Sequence, residues 1–142
     1  MDSTATAGEL TPQISLHQVS EDRDGAMEYW SIGWRITNRG TGPVIVVSAR
    51  LPHGQFKSEE IRFEPPLDLL PGVSKQFRTP VRCHGPSGLV TENAFVIFHA
   101  IWLGEPWRIF ARVSVVVDAA GKPAATTESV TTQKVGFSGI NA

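Results

Sequence analysis

From Asn93 to Val117 the chain alternates in hydrophobicity through NAFVIFHAIWL and WRIFARVSVVV, with only Gly104-Glu105-Pro106 between them. A period of two is the signature of a strand, because successive side chains leave opposite faces of the backbone. The pattern predicts two long strands joined by a tight hairpin at the centre of a β-sandwich. Gly104-Glu105 has the composition of a two-residue type II′ turn, with glycine in the first central position. That turn would set Leu103 opposite Pro106 and Trp102 opposite Trp107. One face then carries Val96, Phe98, Ala100, Trp102, Trp107, Ile109, Ala111 and Val113, all apolar, and is expected to face the core.

The other face is expected to carry Phe95 opposite Ser114, Ile97 opposite Arg112, His99 opposite Phe110 and Ile101 opposite Arg108. A solvated face of an antiparallel sheet is ordinarily polar. This one mixes large apolar groups with arginine, the combination that interfaces favour. Two explanations stay open from the sequence. Part of the same chain covers the face, or the face docks a partner or a second copy. A one-residue slip in register would exchange the two faces.

The same alternation predicts the remaining strands. Tyr29–Asn38 places Trp30, Ile32, Trp34 and Ile36 on one side and Ser31, Gly33, Arg35 and Thr37 on the other. Pro12–Ser20 carries Ile14 and Leu16 two apart, followed by a charged turn over Glu21–Gly25. Val44–Leu51 is apolar on both faces at its start. Glu60–Glu64 is a short strand closed by Pro65-Pro66. Val73–Cys83 presents Phe77, Thr79 and Val81 on one side. Pro80 lacks a donor, so this last strand should be an edge strand or carry a bulge. Residues 1–11 read as a flexible tail, 12–118 as the sandwich, and 119–142 as a turn followed by a final strand or an extended arm. Turn signals recur about every ten residues and no segment has helical periodicity.

Composition narrows the reading. The chain has 142 residues, 41 % of them hydrophobic and 19 % charged, which fits a single globular domain. Thirteen basic against fourteen acidic residues give a net charge of −1, which argues against a general nucleic-acid surface. No apolar run is long enough for a membrane span. Read as starting at its own Met1, the chain lacks a secretory leader, which predicts a cytoplasmic protein. Its single cysteine, Cys83, excludes an internal disulfide.

Strand Trp34-Arg35-Ile36-Thr37-Asn38-Arg39-Gly40, the apolar run Pro43 to Val47, Leu70-Pro71-Gly72 ahead of another strand, and the last hairpin together resemble an immunoglobulin-like β-sandwich of the kind found as accessory modules in many bacterial proteins. The resemblance spans roughly residues 12–118. It implies an antiparallel sandwich of seven to eight strands with a binding or scaffolding role and no catalytic residues. The Cys…Trp…Cys signature of antibody domains is missing.

Chemistry-bearing residues are few. Cys83, His84 and His99 are the candidates for a small hydrolase or metal site, but no zinc spacing and no nucleophile elbow accompanies them. The adjacent Cys83 and His84 would point to opposite faces. Trp30, Trp34, Trp102 and Trp107 raise a carbohydrate-binding alternative, though all four fall on core faces. Glu21-Asp22-Arg23-Asp24 could offer oxygens to calcium but reads more simply as a solvated turn. The sequence therefore predicts a non-enzymatic module without cofactor. It would bind a protein partner or self-associate as a homo-oligomer through Phe95, Ile97, His99, Ile101, Arg108, Phe110 and Arg112. The C-terminal stretch Thr126–Phe137 could add to a neighbour's sheet edge.

Overall fold

The structure, a computed structural model, describes residues 10–23, 25, 29–83 and 85–136. It contains β1 (Ile14–Arg23), β2 (Tyr29–Asn38), β3 (Val44–His53), β4 (Phe56–Leu69), β5 (Ser74–Arg82), β6 (Val90–Trp102), β7 (Glu105–Val117) and β8 (Pro123–Lys134). No helix occurs among the described residues. Neighbouring strands are antiparallel throughout, in the order β1-β2-β5-β4-β3-β6-β7-β8. Of the expected N-terminal tail, residues 1–9 lie outside the described residues, as do Asp24 of the charged turn and Phe137 of the C-terminal stretch.

The sheet has a weak seam and a nearly closed edge. A single pair, Lys57 with Arg82, joins β4 to β5. The fold thus consists of β1-β2-β5 and β4-β3-β6-β7-β8, with the apolar faces of both turned inward. Where backbone pairing lapses at the seam, rings take over: Phe63 of β4 meets Phe77 of β5 edge-on at 5.3 Å, and Phe77 meets Phe98 of β6 at 5.9 Å. At the opposite side β1 approaches β8 through side chains. Gln18 donates to the Pro123 carbonyl at 3.0 Å and accepts from the Ala125 N–H at 2.7 Å, while Thr127 donates to the Leu16 carbonyl at 2.8 Å. The result is a sheet that almost closes into a barrel. Pro80 fits this layout: it stands opposite Ser31 of β2, and the one pair of β5 with β4 falls at Arg82 and asks nothing of the proline.

Burial follows the alternation. Trp30, Ile32, Trp34 and Ile36 of β2 all lie in the core, together with Phe77, Thr79 and Val81 of β5. Trp34 is completely buried. Its indole N–H donates to the Thr79 hydroxyl at 2.9 Å, and its ring meets Phe56 edge-on at 6.3 Å. A buried indole N–H needs such an acceptor, which explains a hydroxyl at an otherwise apolar position.

Several expected boundaries differ. The hairpin turn is Leu103-Gly104 rather than Gly104-Glu105. Both residues have positive φ, 51° and 75°, the requirement of a type I′ turn. Trp102 therefore pairs with Glu105 and Ile101 with Pro106. Each partner shifts by two residues from the expected register. A shift of two preserves the facing of every side chain, so the assignment of inner and outer faces is unchanged. β4 is a fourteen-residue strand, not a short one. It runs through Pro65-Pro66 because the register against β3 jumps there, from Val46↔Leu67 to Ser48↔Arg62, leaving both prolines free of ladder duty. β1 continues through Glu21-Asp22-Arg23, where a solvated turn was expected, because those residues pair with Ile32, Ser31 and Trp30 of β2. The C-terminal stretch forms β8, paired along β7 of its own chain.

Thr79→Val removes the acceptor of the Trp34 indole without changing side-chain volume. It should lower stability by about 1–3 kcal/mol in urea denaturation. Trp34→Phe in the same background should restore part of that loss, since the orphaned donor disappears; the two changes should be strongly non-additive.

Candidate outer-face docking site

All eight strands belong to the sheet, and the inner faces of β1, β2 and β5 cover only the inner side of β3, β6 and β7. Among the described residues no strand crosses the outer side. The structure places Phe95, Ile97, His99, Ile101, Arg108, Phe110 and Arg112 together there, alternating with the buried Val96, Phe98, Ala100, Ile109, Ala111 and Val113. Phe95, His99, Arg108, Phe110 and Arg112 are half-buried. Ile97, in the middle, is 7 % exposed, and Ile101, toward the turn, is 37 % exposed.

The true register sorts these side chains into transverse rows. One row runs Arg62–Ser48–His99–Arg108–Gln133 across β4, β3, β6, β7 and β8. On one side of it lies the apolar pair Ile97–Phe110, bounded by Arg50 and Thr131. On the other side lie Ile45, Ile101 and Pro106. Beyond Ile97 and Phe110 comes a row with Phe95, Arg112 and Ser129. Phe95 and Phe110 touch edge-on across the rows at 6.5 Å. These pairings replace the expected ones: Ile97 stands opposite Phe110 rather than Arg112, His99 opposite Arg108, and Phe95 opposite Arg112.

The charges on this face are unevenly compensated. Arg112 donates to two neutral oxygens, Ser129 Oγ at 3.2 Å and Asn93 Oδ1 at 3.1 Å. The Asn93 acceptor is aimed by a left-handed backbone, φ 61°, where the β6–β7 register is interrupted. Arg108 has no carboxylate partner among the described residues, and its Nε is buried without a hydrogen bond. On the opposite outer face Arg78 behaves differently: it pairs with Asp22 at 2.8 Å and also donates to Ser31 and Ser20. Near the Arg108 row the Glu60 carboxylate accepts from Ser48 Oγ at 2.7 Å. The Ser48 hydroxyl holds the Glu60 pKa below its ordinary value, with smaller help from His99, Arg62 and Arg50.

Arg50, Arg62, Ser48 and Glu60 complete the site and were not part of the sequence reading. The signal for two of them was present: in Val44–Leu51, Ser48 and Arg50 are two apart and alternate with the buried Ala49 and Leu51. That they stand beside Ile97 and His99 is a fact of strand order.

The alternative chemistry is not assembled. Cys83 belongs to the buried core cluster, whereas His99 is on the outer face of β6, so the sheet separates them. His84 lies outside the described residues. Burial pushes the Cys83 thiol pKa up, which disfavours the nucleophilic thiolate. Among the described residues no three His, Cys, Asp or Glu side chains gather as metal ligands. All four tryptophans are buried, Trp102 and Trp107 edge-on at 5.7 Å at the turn end of the hairpin. A cavity of about 210 Å³ adjoins them, lined also by Leu10, Leu103, Glu105 and Lys134. Both indole N–H groups are buried without a hydrogen-bond partner, and the two residues are only 4 % and 8 % exposed, so neither ring offers an open stacking platform.

Two measurements check these assignments. Ser48→Ala should raise the Glu60 pKa toward its ordinary value, followed by carboxyl-carbon NMR titration. Folding lowers this pKa, so its stabilising effect is present above the unfolded carboxylate value and disappears as pH falls through the lowered one. Cys83 should react with a disulfide reagent at pH 8 at least about tenfold more slowly in the native protein than in urea.

No protein-family model matches the sequence. No curated protein matches it. Among solved structures, the chain is similar to a Bordetella pertussis protein provisionally named ApaA, at 17 % identity over 87 % of this chain and 91 % of the other, with a TM-score of 0.39. It is also similar to a structural-genomics target at 10 % identity over 88 % of this chain and 86 % of the other, with a TM-score of 0.28. Likeness at this level assigns neither a family nor an activity.

Proposed function

We propose that the chain is a non-enzymatic interaction module that docks a protein partner on the outer face of β3, β6 and β7. The fold is read with it as a variant of the immunoglobulin-like sandwich: β1-β2-β5 lies against β4-β3-β6-β7, with β8 added beyond. The single observation that carries the function is a sheet face that no described strand covers, on which Phe95, the nearly buried Ile97, Ile101 and Phe110 alternate with Arg108 and Arg112, neither of which has an acidic partner among the described residues. Keeping such groups at the surface is unfavourable for a module that uses only its core. Aromatic and arginine side chains are the ones that contribute most when an interface closes over them. The C-terminal arm is not needed for this role, since β8 is engaged with β7 of the same molecule.

The test combines light scattering with a photo-crosslinking residue at position 101. The expected result is a monomer alone and one discrete adduct in an extract of the source cells, absent when the group stands at Val19 on the opposite half. A concentration-dependent dimer dispersed by Ile101→Asp would identify the partner as a second copy. A monomer that gives no adduct from position 101 overturns the docking role.

A further inference from the structure

We infer that the partner presents an extended acidic segment to this face, with acidic and apolar side chains at alternate outward positions. The inference rests on the docking role above and specifies its chemistry. Along β6 and β7 the rows read Arg112 beside Phe95, apolar (Ile97, Phe110), Arg108 beside His99, then apolar (Ile101), so that a guanidinium recurs in every second row. Arg112 and Arg108 are four residues apart on one strand, with Phe110 between them. Same-face neighbours along a strand are separated by about 6.8 Å. An extended peptide repeats its side chains on one side at the same distance. A segment lying along the strands therefore brings every second side chain over one row. Acidic groups would reach Arg112 and Arg108, and apolar groups would reach Ile97–Phe110 and Ile101.

Charge selects the acid. Arg50, Arg62, Arg108 and Arg112 share the face, and the carboxylate bound among them, Glu60, is held by Ser48 at the β3–β4 side. Half-buried guanidinium groups interact more strongly with an incoming carboxylate than fully solvated ones do, because the local dielectric is lower. A second copy packed face to face would oppose arginine to arginine, which disfavours a symmetric dimer through this surface. A nucleic acid fits less well than an acidic peptide. Its continuous phosphate charge would lie over apolar rows as well as cationic ones, and Asp68, Glu92 and Glu128 at the rims would repel any acid that extends beyond the arginine rows.

The probe is a fluorescein-labelled peptide, Glu-Ser-Leu-Ser-Glu-Ser-Leu-Ser-Glu, titrated with the full chain and read by anisotropy. Controls are the same peptide with Gln for Glu, a scramble that clusters its three Glu residues, and a labelled nine-nucleotide oligouridylate. The expected result is saturable binding of the alternating acidic peptide. It should weaken about tenfold or more on Arg108→Gln, on replacement of Glu by Gln, and on raising salt from about 50 to about 500 mM. Arg50→Gln, at the margin of the face, should weaken it less and guards against a folding defect at position 108. Equal binding of the Gln peptide or of the scramble overturns the inference, as does tighter binding of the oligouridylate. Absence of acidic-peptide binding also overturns it. The docking role is judged separately by the adduct at position 101, which does not depend on charge.

Discussion

Apolar contact between the inner faces of the two halves of the sheet is the interaction on which this structure depends. Hydrogen bonding contributes less there: among the described residues, the strand pair Lys57 with Arg82, the buried Asn38 amide donating to the Leu69 carbonyl of β4 at 2.9 Å, and the side chains of Gln18 and Thr127 toward β8. What holds β1-β2-β5 against β4-β3-β6-β7-β8 is burial of Trp30, Trp34, Phe56, Phe77 and Phe98 and of the aliphatic groups between them. Burial of that kind is non-directional and scales with area. Direction comes from the few specific contacts within it, the Trp34–Thr79 hydrogen bond and the edge-on rings Phe63–Phe77–Phe98.

That constraint determines what the outer surfaces can be. Once every odd or even position of a strand is committed to the core, its neighbours must face out, whatever their polarity. On β2 and β5 the outward residues are mostly small, polar or charged, with Tyr29 at the strand end as the large aromatic, and Arg78 finds Asp22 within its own half. On β6 and β7 the outward residues are Phe95, Ile97, Ile101, Phe110, Arg108 and Arg112, and nothing on those strands answers the guanidinium groups with a carboxylate. The contrast between the two faces of one molecule, built from the same kind of strand, is the basis on which one of them is proposed as a docking surface. Cys83 and His99 illustrate the same rule from the chemical side. One points in and the other out, so a reactive pair cannot form across the sheet between them.

Much of this was legible in the sequence, and the reason is parity. β2 has the bounds expected from its alternation, and the inner and outer faces of β6 and β7 are those the pattern predicts. The turn between them was misplaced by one residue, because Leu103 adopts a positive φ that side chains bearing a Cβ rarely take. The error left the faces intact, since moving the whole two-residue turn by one position changes every cross-strand partner by two. The proline pair in β4 misled for a different reason. Proline excludes a ladder donor, and only the bulge against β3 shows that no donor was required there.

The chain by itself determined that the fold is all-β and antiparallel, which residues of the central hairpin face inward, and that the outward ones are too apolar for plain solvent. The facing and the mixed apolar–arginine character of the outward positions follow from the two-residue repeat of an extended backbone, a local property; their use as a docking surface is the proposal made above. Only the tertiary structure decided the strand order, the near closure of the sheet, and the row that aligns Arg62, Ser48, His99, Arg108 and Gln133. Those residues come from five strands spread from β3 to β8. Their meeting depends on long-range pairing and on bulges of one or more residues, which shift register without leaving any periodic trace in the sequence.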